Sequence, residues 1–247
     1  MTYIILSAGK GTKLQPLTLN HPKSLYKLDY STTILQRLVR TIRKYDSEAE
    51  VIVVVGFMYK HIQCELADDN VKFVHNPYYS VTSSMGSLWF AKDYLQRENV
   101  TIINGDIVVS DELTEEIICK HTDYPCVLLD STHKDAHKYN VQIQGDLVCV
   151  MSKNLTEFLG NYASITKLDA VSSRFLLEQL EQMVNDEMYN LFFEDALVQM
   201  IFEKNFELYF IDIKDYQWTE VDSVDDLLKA RQIQQQSRNC KNSFSII

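Results

Sequence analysis

Three short runs of aliphatic and β-branched residues constrain this chain more than anything else in it: Tyr3–Leu6, Val51–Val55 and Val100–Ile103. Each is too short for a helix, and none alternates as a strand with one wet face does, so each reads as a strand buried on both sides. Helical stretches separate them. Ser31–Lys44 opens on capping hydroxyls and sets Ile34, Leu35, Leu38, Val39 and Ile42 on one face. Lys60–Asp69 reads as a helix, Val71–His75 as a strand, Ser83–Gln96 as a helix, and a further helix is expected near Asp111–His121. Buried strands alternating with helices imply an α/β fold: a mostly parallel sheet with helices on both faces.

The second half is less regular. Cys126–Leu129, Val141–Ile143 and Leu147–Met151 are expected strands, the last two forming a hairpin around Gly145-Asp146. Helices are expected at Ala170–Val184 and Phe193–Lys204, then strands at Leu208–Ile213 and Trp218–Val221, then a helix from Ser223 to about Gln236. At 247 residues, with no repeat or linker composition, residues 1–236 read as a single domain. Residues 1–130 form its first half, 131–236 a smaller accessory region, and 237–247 a loose tail. Nothing approaches the length of a membrane span, no charge-first leader is evident, and five scattered cysteines suit a reducing cytoplasm.

Charge and glycine are unevenly placed. The chain carries 24 Lys+Arg against 34 Asp+Glu, a net −10, which argues against broad binding to nucleic acid or membrane surfaces. Yet residues 1–28 hold four lysines (10, 13, 23 and 27) and no acid, so the remainder has 20 basic residues against 34 acidic ones. Of only 7 Gly and 4 Pro, four (Gly9, Gly11, Pro16, Pro22) fall in the same loop. Parallel α/β sheets bind ligands beyond the carboxyl ends of their strands. That loop follows the first strand, where glycines let backbone amides approach an anion and Lys10, Lys13 and Lys23 supply charge. A solvated basic turn would have the same composition, and neither G-x-x-x-x-G-K-[ST] nor G-x-G-x-x-G is present.

Two acidic positions occupy similar places: Asp106 in Asn104-Gly-Asp106 after the strand Val100–Ile103, and Asp222 in Glu220-Val-Asp222 after Trp218. Either could be an ordinary turn or helix-capping residue. Together with the lysine loop they suggest a magnesium-bound polyphosphate, since Mg²⁺ typically takes one or two carboxylates and completes its shell with phosphate oxygens and water.

The segment L-S-A-G-K-G-T-K-L-Q-P-L-T-x4-P-K-S-L (6–25) resembles the signature of the sugar-phosphate nucleotidyltransferase superfamily. The resemblance continues through V-I-V-V-V-G-F (51–57), I-N-G-D (103–106) and E-V-D-S (220–223), nearly the whole chain. One departure is Lys13 where the family has Arg, a point charge in place of a bidentate fork. N-P-Y-Y-S-V-T-S-S-M-G-S-L (76–88) looks more like the phosphocholine and phosphonate cytidylyltransferase branch than the sugar branch, with Ser83 and Ser84 standing for that branch's Asn pair.

The resemblance implies a Rossmann-like, Mg²⁺-dependent enzyme that joins CTP, or another NTP, to a small phosphorylated or phosphonylated amine or alcohol and releases pyrophosphate. By position, Leu6, Ala8, Gly9, Lys10, Gly11 and Thr12 would line the nucleotide, with Ser83 and Ser84 beside them. Lys13 would meet the β- and γ-phosphates and Lys23 the α-phosphate, while Asp106 and Asp222 would hold the metal. For the acceptor, the accessory half offers Lys153 and the run Phe192-Phe193-Glu194-Asp195, where rings and acids suit an ammonium group. The same phenylalanines at helical spacing could equally be core. A sugar-1-phosphate nucleotidyltransferase using UTP, dTTP or CTP is the alternative enzyme, and a nucleotide-sensing subunit without turnover the alternative of another class. Homo-oligomerisation stays open.

Overall fold

Alternate side chains of the first strand go to opposite sides of the sheet, and both sides are dry. In a computed structural model describing residues 1–136 and 138–243, Tyr3 and Ile5 of β1 (Thr2–Ser7) join one hydrophobic cluster while Ile4 and Leu6 join the other. Burying a side chain of that size stabilises by about 1.5–3 kcal/mol, so this strand is held from both faces. The remaining early elements follow in order: α1 (Ile34–Tyr45), β2 (Glu50–Val55), α2 (Tyr59–Glu65), β3 (Lys72–His75), α3 (Ser84–Phe90) and β4 (Asn99–Asn104). Then come β5 (Ile107–Val109), the single turn α4 (Asp111–Leu113), β6 (Cys126–Asp130), β7 (Asn140–Gln144), β8 (Leu147–Ser152) and β9 (Gly160–Asp169). The chain continues with α5 (Ala170–Asn185), α6 (Phe193–Lys204), β10 (Tyr209–Asp212), β11 (Trp218–Glu220) and α7 (Val224–Ser243).

Nine strands form one sheet in the order β3-β2-β1-β4-β9-β6-β10-β8-β7. The β1–β4 half is parallel, and β9 runs antiparallel to both β4 and β6, so the sheet is mixed. Helices α1 and α2 cover one face, and α3, α5 and α6 cover the other, as expected from the sequence. The same sheet runs through both halves of the chain. No helix among the described residues is long and apolar enough to cross a membrane.

Several boundaries differ from expectation. The helix expected to Asp69 ends at Glu65, and the one expected to Gln96 gives way after Phe90 to a 3₁₀ segment, Lys92–Gln96. The helix expected over 111–121 is one α-turn followed by a π-turn, Thr114–Ile118. The tail expected to be loose from 237 instead continues α7 as far as Ser243; residues 244–247 lie outside the described residues. Arg37 anchors that helix, donating to Gln234 Oε1 (2.8 Å) and Ser237 Oγ (3.1 Å). The largest omission is β9, ten residues at the centre of the sheet. Its buried Asn161, Ser164, Thr166 and Lys167 interrupt the apolar pattern, and each has found a polar partner: Asn161 donates to Asn140 Oδ1 (2.5 Å), Ser164 to Glu220 Oε1 (2.9 Å), Thr166 pairs with the Tyr162 hydroxyl (2.8 Å), and Lys167 donates to Lys120 O (2.6 Å). Satisfied polar groups are tolerated in a core, but they erase the pattern by which a strand is recognised.

Candidate active site

β1 has β2 on one side and β4 on the other, so the strand order reverses beside it, the place where open α/β sheets bind ligands. Leu6 is level with Asn104 in the ladder, which sets the loop after β1 against the turn after β4. A cleft of about 430 Å³ opens there, floored by Leu6–Lys13 and walled by Asn104–Asp106, Ser83, Ser84, Phe192 and Asp222.

Short 3₁₀ turns at Thr12–Leu14, Leu17–Leu19 and Lys23–Leu25 fold the lysine loop back on itself. Gly11 is required there. Its φ is +64°, and a Cβ would lie 2.9 Å from Lys23 Cβ, displacing that side chain. The Thr18 hydroxyl ties the turn by donating to Gly11 O at 2.7 Å. Ser7 Oγ donates to Ser24 Oγ at 2.8 Å, joining the start of the loop to its end.

Lys23 is the hub. Its ammonium contacts Asp106 Oδ2 and lies 2.9 Å from Asp222 Oδ1. Lys13 reaches Asp222 Oδ2 at 2.7 Å, and Lys138 bridges Glu220 Oε2 (2.9 Å) and Asp222 Oδ2 (2.5 Å). Burial alone would lower the Lys23 ammonium, but Asp106 and Asp222 outweigh it and hold it above the ordinary lysine range. Lys138 is raised in the same way by Glu220 and Asp222 against burial. For Asp222, burial would raise the carboxyl, yet Lys23, Lys13 and Lys138 hold it well below the usual range. Lys23, Lys138 and Asp222 are thereby held in their charged forms at neutral pH, whereas burial pushes the Asp106 carboxyl up against the opposing pull of Lys23. Antiparallel pairing of β11 with β5 brings Glu220 and Asp222 to Asp106, with Val221 N donating to Asp106 O at 3.0 Å. Capping of α7 falls to Ser223, whose Oγ accepts from Asp226 N (3.1 Å) while Asp226 accepts from Ser223 N (2.8 Å). Asp222 is thus free of the capping role its position allowed.

The residues fit a divalent cation of the kind that relies on few protein ligands. Asp106 and Asp222 both reach the Lys23 ammonium, so their carboxylates face one another across it, and Asp106 Oδ1 is buried with no hydrogen-bond partner. Among the described residues there is no group of three or more His, Cys, Asp or Glu placed to hold a metal. Any such ion would draw its remaining ligands from phosphate oxygens and water, as Mg²⁺ commonly does.

The five residues offered for the acceptor separate. Phe193 is core and Phe192, 39% exposed, lines the cleft, so the two readings of the pair apply one to each. Lys153 lies 3.9 Å from the centre of the Phe192 ring and 5.6 Å from that of Tyr139. Asp195 stands behind the wall, accepting from Phe192 N (2.9 Å) and from the Tyr139 hydroxyl (2.5 Å), so it starts α6 and orients Tyr139. Glu194 is 4% exposed and receives Ser84 Oγ at 3.4 Å; burial pushes its carboxyl up to about 8. Ser84 Oγ also accepts from Phe193 N at 2.9 Å, which pins the 83–84 segment to α6. Lys10 is exposed over Tyr79, 5.9 Å from the ring centre. Lys138 and Tyr139 follow no strand end and carry no local signal, whereas Glu220, the last residue of β11 and two before Asp222, had that spacing as its signal.

A lysine-rich loop and two carboxylates meeting across the switch point of a Rossmann-like sheet define a nucleotidyltransferase. Residues 3–189 match the MobA-like NTP transferase domain, and the chain belongs to that family. It is 23% identical over 234 residues to the choline-phosphate cytidylyltransferase of Streptococcus pneumoniae, covering 94% of this chain and 98% of that protein. It is 26% identical over 235 residues to the bifunctional protein GlmU of Methanococcus maripaludis, spanning 93% of this chain but only 53% of that protein. The match to the 2-aminoethylphosphonate cytidylyltransferase of Lancefieldella rimae is 32% over 111 residues, 44% of each chain. Among solved structures, the CTP:phosphocholine cytidylyltransferase of Streptococcus pneumoniae superposes with a TM-score of 0.76 at 18% identity, over 94% of this chain and 98% of that one. The inositol-1-phosphate CTP transferase of T. maritima superposes with a TM-score of 0.75 at 15% identity, covering 94% of this chain. These likenesses establish the fold.

Proposed function

We propose that this nucleotidyltransferase joins CTP to a small phosphorylated or phosphonylated amine or alcohol, releasing pyrophosphate with Mg²⁺ as cofactor. The observation that carries the reading is a cluster of three lysines and three carboxylates at the nucleotide loop, with a ring-lined wall beside it. An acceptor phosphate is already ionised at pH 7, so its oxygen can attack the α-phosphorus without a general base. The Pα–O bond to the β-phosphate breaks, and pyrophosphate leaves with its charge. The protein's task is alignment and charge neutralisation. Backbone amides of residues 8–12 and the Lys13 ammonium serve the β- and γ-phosphates. Lys23 serves the α-phosphate, where negative charge grows in the transition state. A Mg²⁺ held by Asp106 and Asp222 would supply further neutralisation of the polyphosphate. Phe192, Tyr139 and the acids behind them favour a cationic or hydroxylated acceptor group over a bulky sugar ring.

Pyrophosphate release from each of the four NTPs with phosphocholine, 2-aminoethylphosphonate, inositol 1-phosphate and glucose 1-phosphate tests this directly. CTP with a small amine or alcohol acceptor should lead. A tenfold or greater kcat/KM preference for UTP or dTTP with the sugar phosphate, about 1.4 kcal/mol of differential transition-state binding, would replace it with the sugar-phosphate reading. That second reading has its own support in the GlmU relative. No turnover with any pair would favour a sensing subunit.

A further inference from the structure

The aromatic wall already holds a cation, and the cation belongs to the protein. Lys153 Nζ lies 3.9 Å from the centre of the Phe192 ring and 5.6 Å from that of Tyr139, whose rings meet edge to face at 6.0 Å. Among the described residues that ammonium makes no hydrogen bond and no ion pair. Burial and Lys13 both act to lower its proton affinity, while Glu194, Glu220 and Asp222 act to raise it. The ring face is therefore a place of negative potential that prefers a cation, and its half-buried occupant is held by rings and distant charges, with no acceptor among the described residues for its N–H donors. A cation lacking such donors, such as a methylated ammonium, loses less hydration on the same ring face.

We propose that Lys153 is a stand-in for the acceptor's ammonium: an acceptor bearing an ammonium at one end and a phosphate at the other takes the Phe192 face, and the displaced Lys153 ammonium pairs with that phosphate. The exchange leaves the cation count on the ring unchanged and gives the lysine the charged hydrogen bonds it lacks on Phe192. It also discriminates. A bare cation must compete with Lys153 and offers it nothing in return, whereas a phosphorylated amine does both jobs. This rests on the proposed function only for the identity of the acceptor.

The test separates the two. Tetramethylammonium binding is measured calorimetrically, at fixed ionic strength, on the whole chain and on Lys153→Met. With the competitor gone, the variant should bind this phosphate-free cation at least fivefold more tightly; equal or weaker binding overturns the proposal. With CTP, the same variant should lose at least tenfold in kcat/KM for phosphocholine, through the KM of that substrate, with the KM for CTP within twofold. An improved KM for phosphocholine would make Lys153 a mere competitor and also overturn the exchange. If Lys153→Met does not fold, Lys153→Gln carries both measurements. Absence of CTP turnover in wild type with every phosphorylated amine would sink the proposed function alone, because the tetramethylammonium comparison needs no nucleotide.

Discussion

Glu194 should make this protein less stable as pH rises through neutrality. The side chain is 4% exposed, behind Ser84 and beneath the acceptor wall, and burial pushes its carboxyl from 4.5 to about 8. Between those values the unfolded chain has released the proton and the native chain still holds it. The native state then binds one more proton than the unfolded, so unfolding free energy falls as pH rises, by about 1.4 kcal/mol per unit. From pH 5.5 to 7.5, allowing for partial ionisation near the upper end, the loss is about 2.5 kcal/mol. Glu194→Gln keeps the shape and an oxygen for Ser84 but cannot titrate. Urea denaturation at both pH values, read as variant minus wild type, cancels every other titrating group that the two proteins share. The variant should gain about 2.5 kcal/mol on wild type over that interval, or about 5–10 °C in Tm for a chain of this size. A difference unchanged within about 0.5 kcal/mol would mean that Glu194 ionises normally, and the buried, proton-holding description would be wrong.

Asp106→Asn and Asp222→Asn should each keep the fold and lose most turnover; near-wild-type rates in either at saturating Mg²⁺ would remove that residue from the metal site. Lys23→Ala should lower kcat by orders of magnitude, whereas Lys13→Ala, on a half-exposed side chain, should chiefly raise the KM for nucleotide; a pure KM effect for Lys23→Ala would reverse the two assignments. Lys138→Met leaves Glu220 without its cation and should cost about 2–3 kcal/mol, of which the added change Glu220→Gln should restore most. Simple additivity in that cycle would show the pair to be uncoupled.

Much of the first half was legible from its residues because β1, β2 and β4 are apolar on both faces and α1 is clearly punctuated. Thr33, for example, caps α1 by accepting from Gln36 N at 3.3 Å while Thr33 N donates to Gln36 Oε1 at 3.1 Å, and a hydroxyl before an apolar stripe announces such a start. The nucleotide loop was legible for a different reason: scarce glycine and unopposed lysine stand out locally, without any knowledge of what they face. β9 was illegible because its buried polar residues are satisfied by partners distant in sequence, as with Lys167 and the carbonyl of Lys120, 47 positions away. Lys138 escaped notice similarly. A lone lysine in a loop has no local signature, and its meaning comes only from Glu220 and Asp222, more than eighty positions on.

The uneven charge of the sequence has a structural consequence in that pairing. The opening 28 residues carry four lysines and no acid, and two of those lysines, Lys13 and Lys23, end on Asp222, some two hundred positions later. Such contacts close loops of 209 and 199 positions, which costs conformational entropy that grows slowly with length. The expense is met by elements that have nothing to do with phosphate: the β5–β11 ladder, Arg37 donating to Gln234 of α7, and the Ser223–Asp226 cap. The geometry of the acidic side of the site therefore depends on how firmly the carboxyl-terminal helix is docked. Replacing Arg37, whose guanidinium also donates to Val109 O at 2.8 Å, should loosen β5 and α7 together. Arg37→Met should lower turnover by misplacing Asp222 while leaving Lys13, Gly11 and the β1 loop intact. The measurement is the half-saturating Mg²⁺ concentration beside the KM for nucleotide. The Mg²⁺ requirement should rise severalfold with the nucleotide KM within twofold, and an equal rise in both would mean that Arg37 supports the whole cleft rather than its acidic wall.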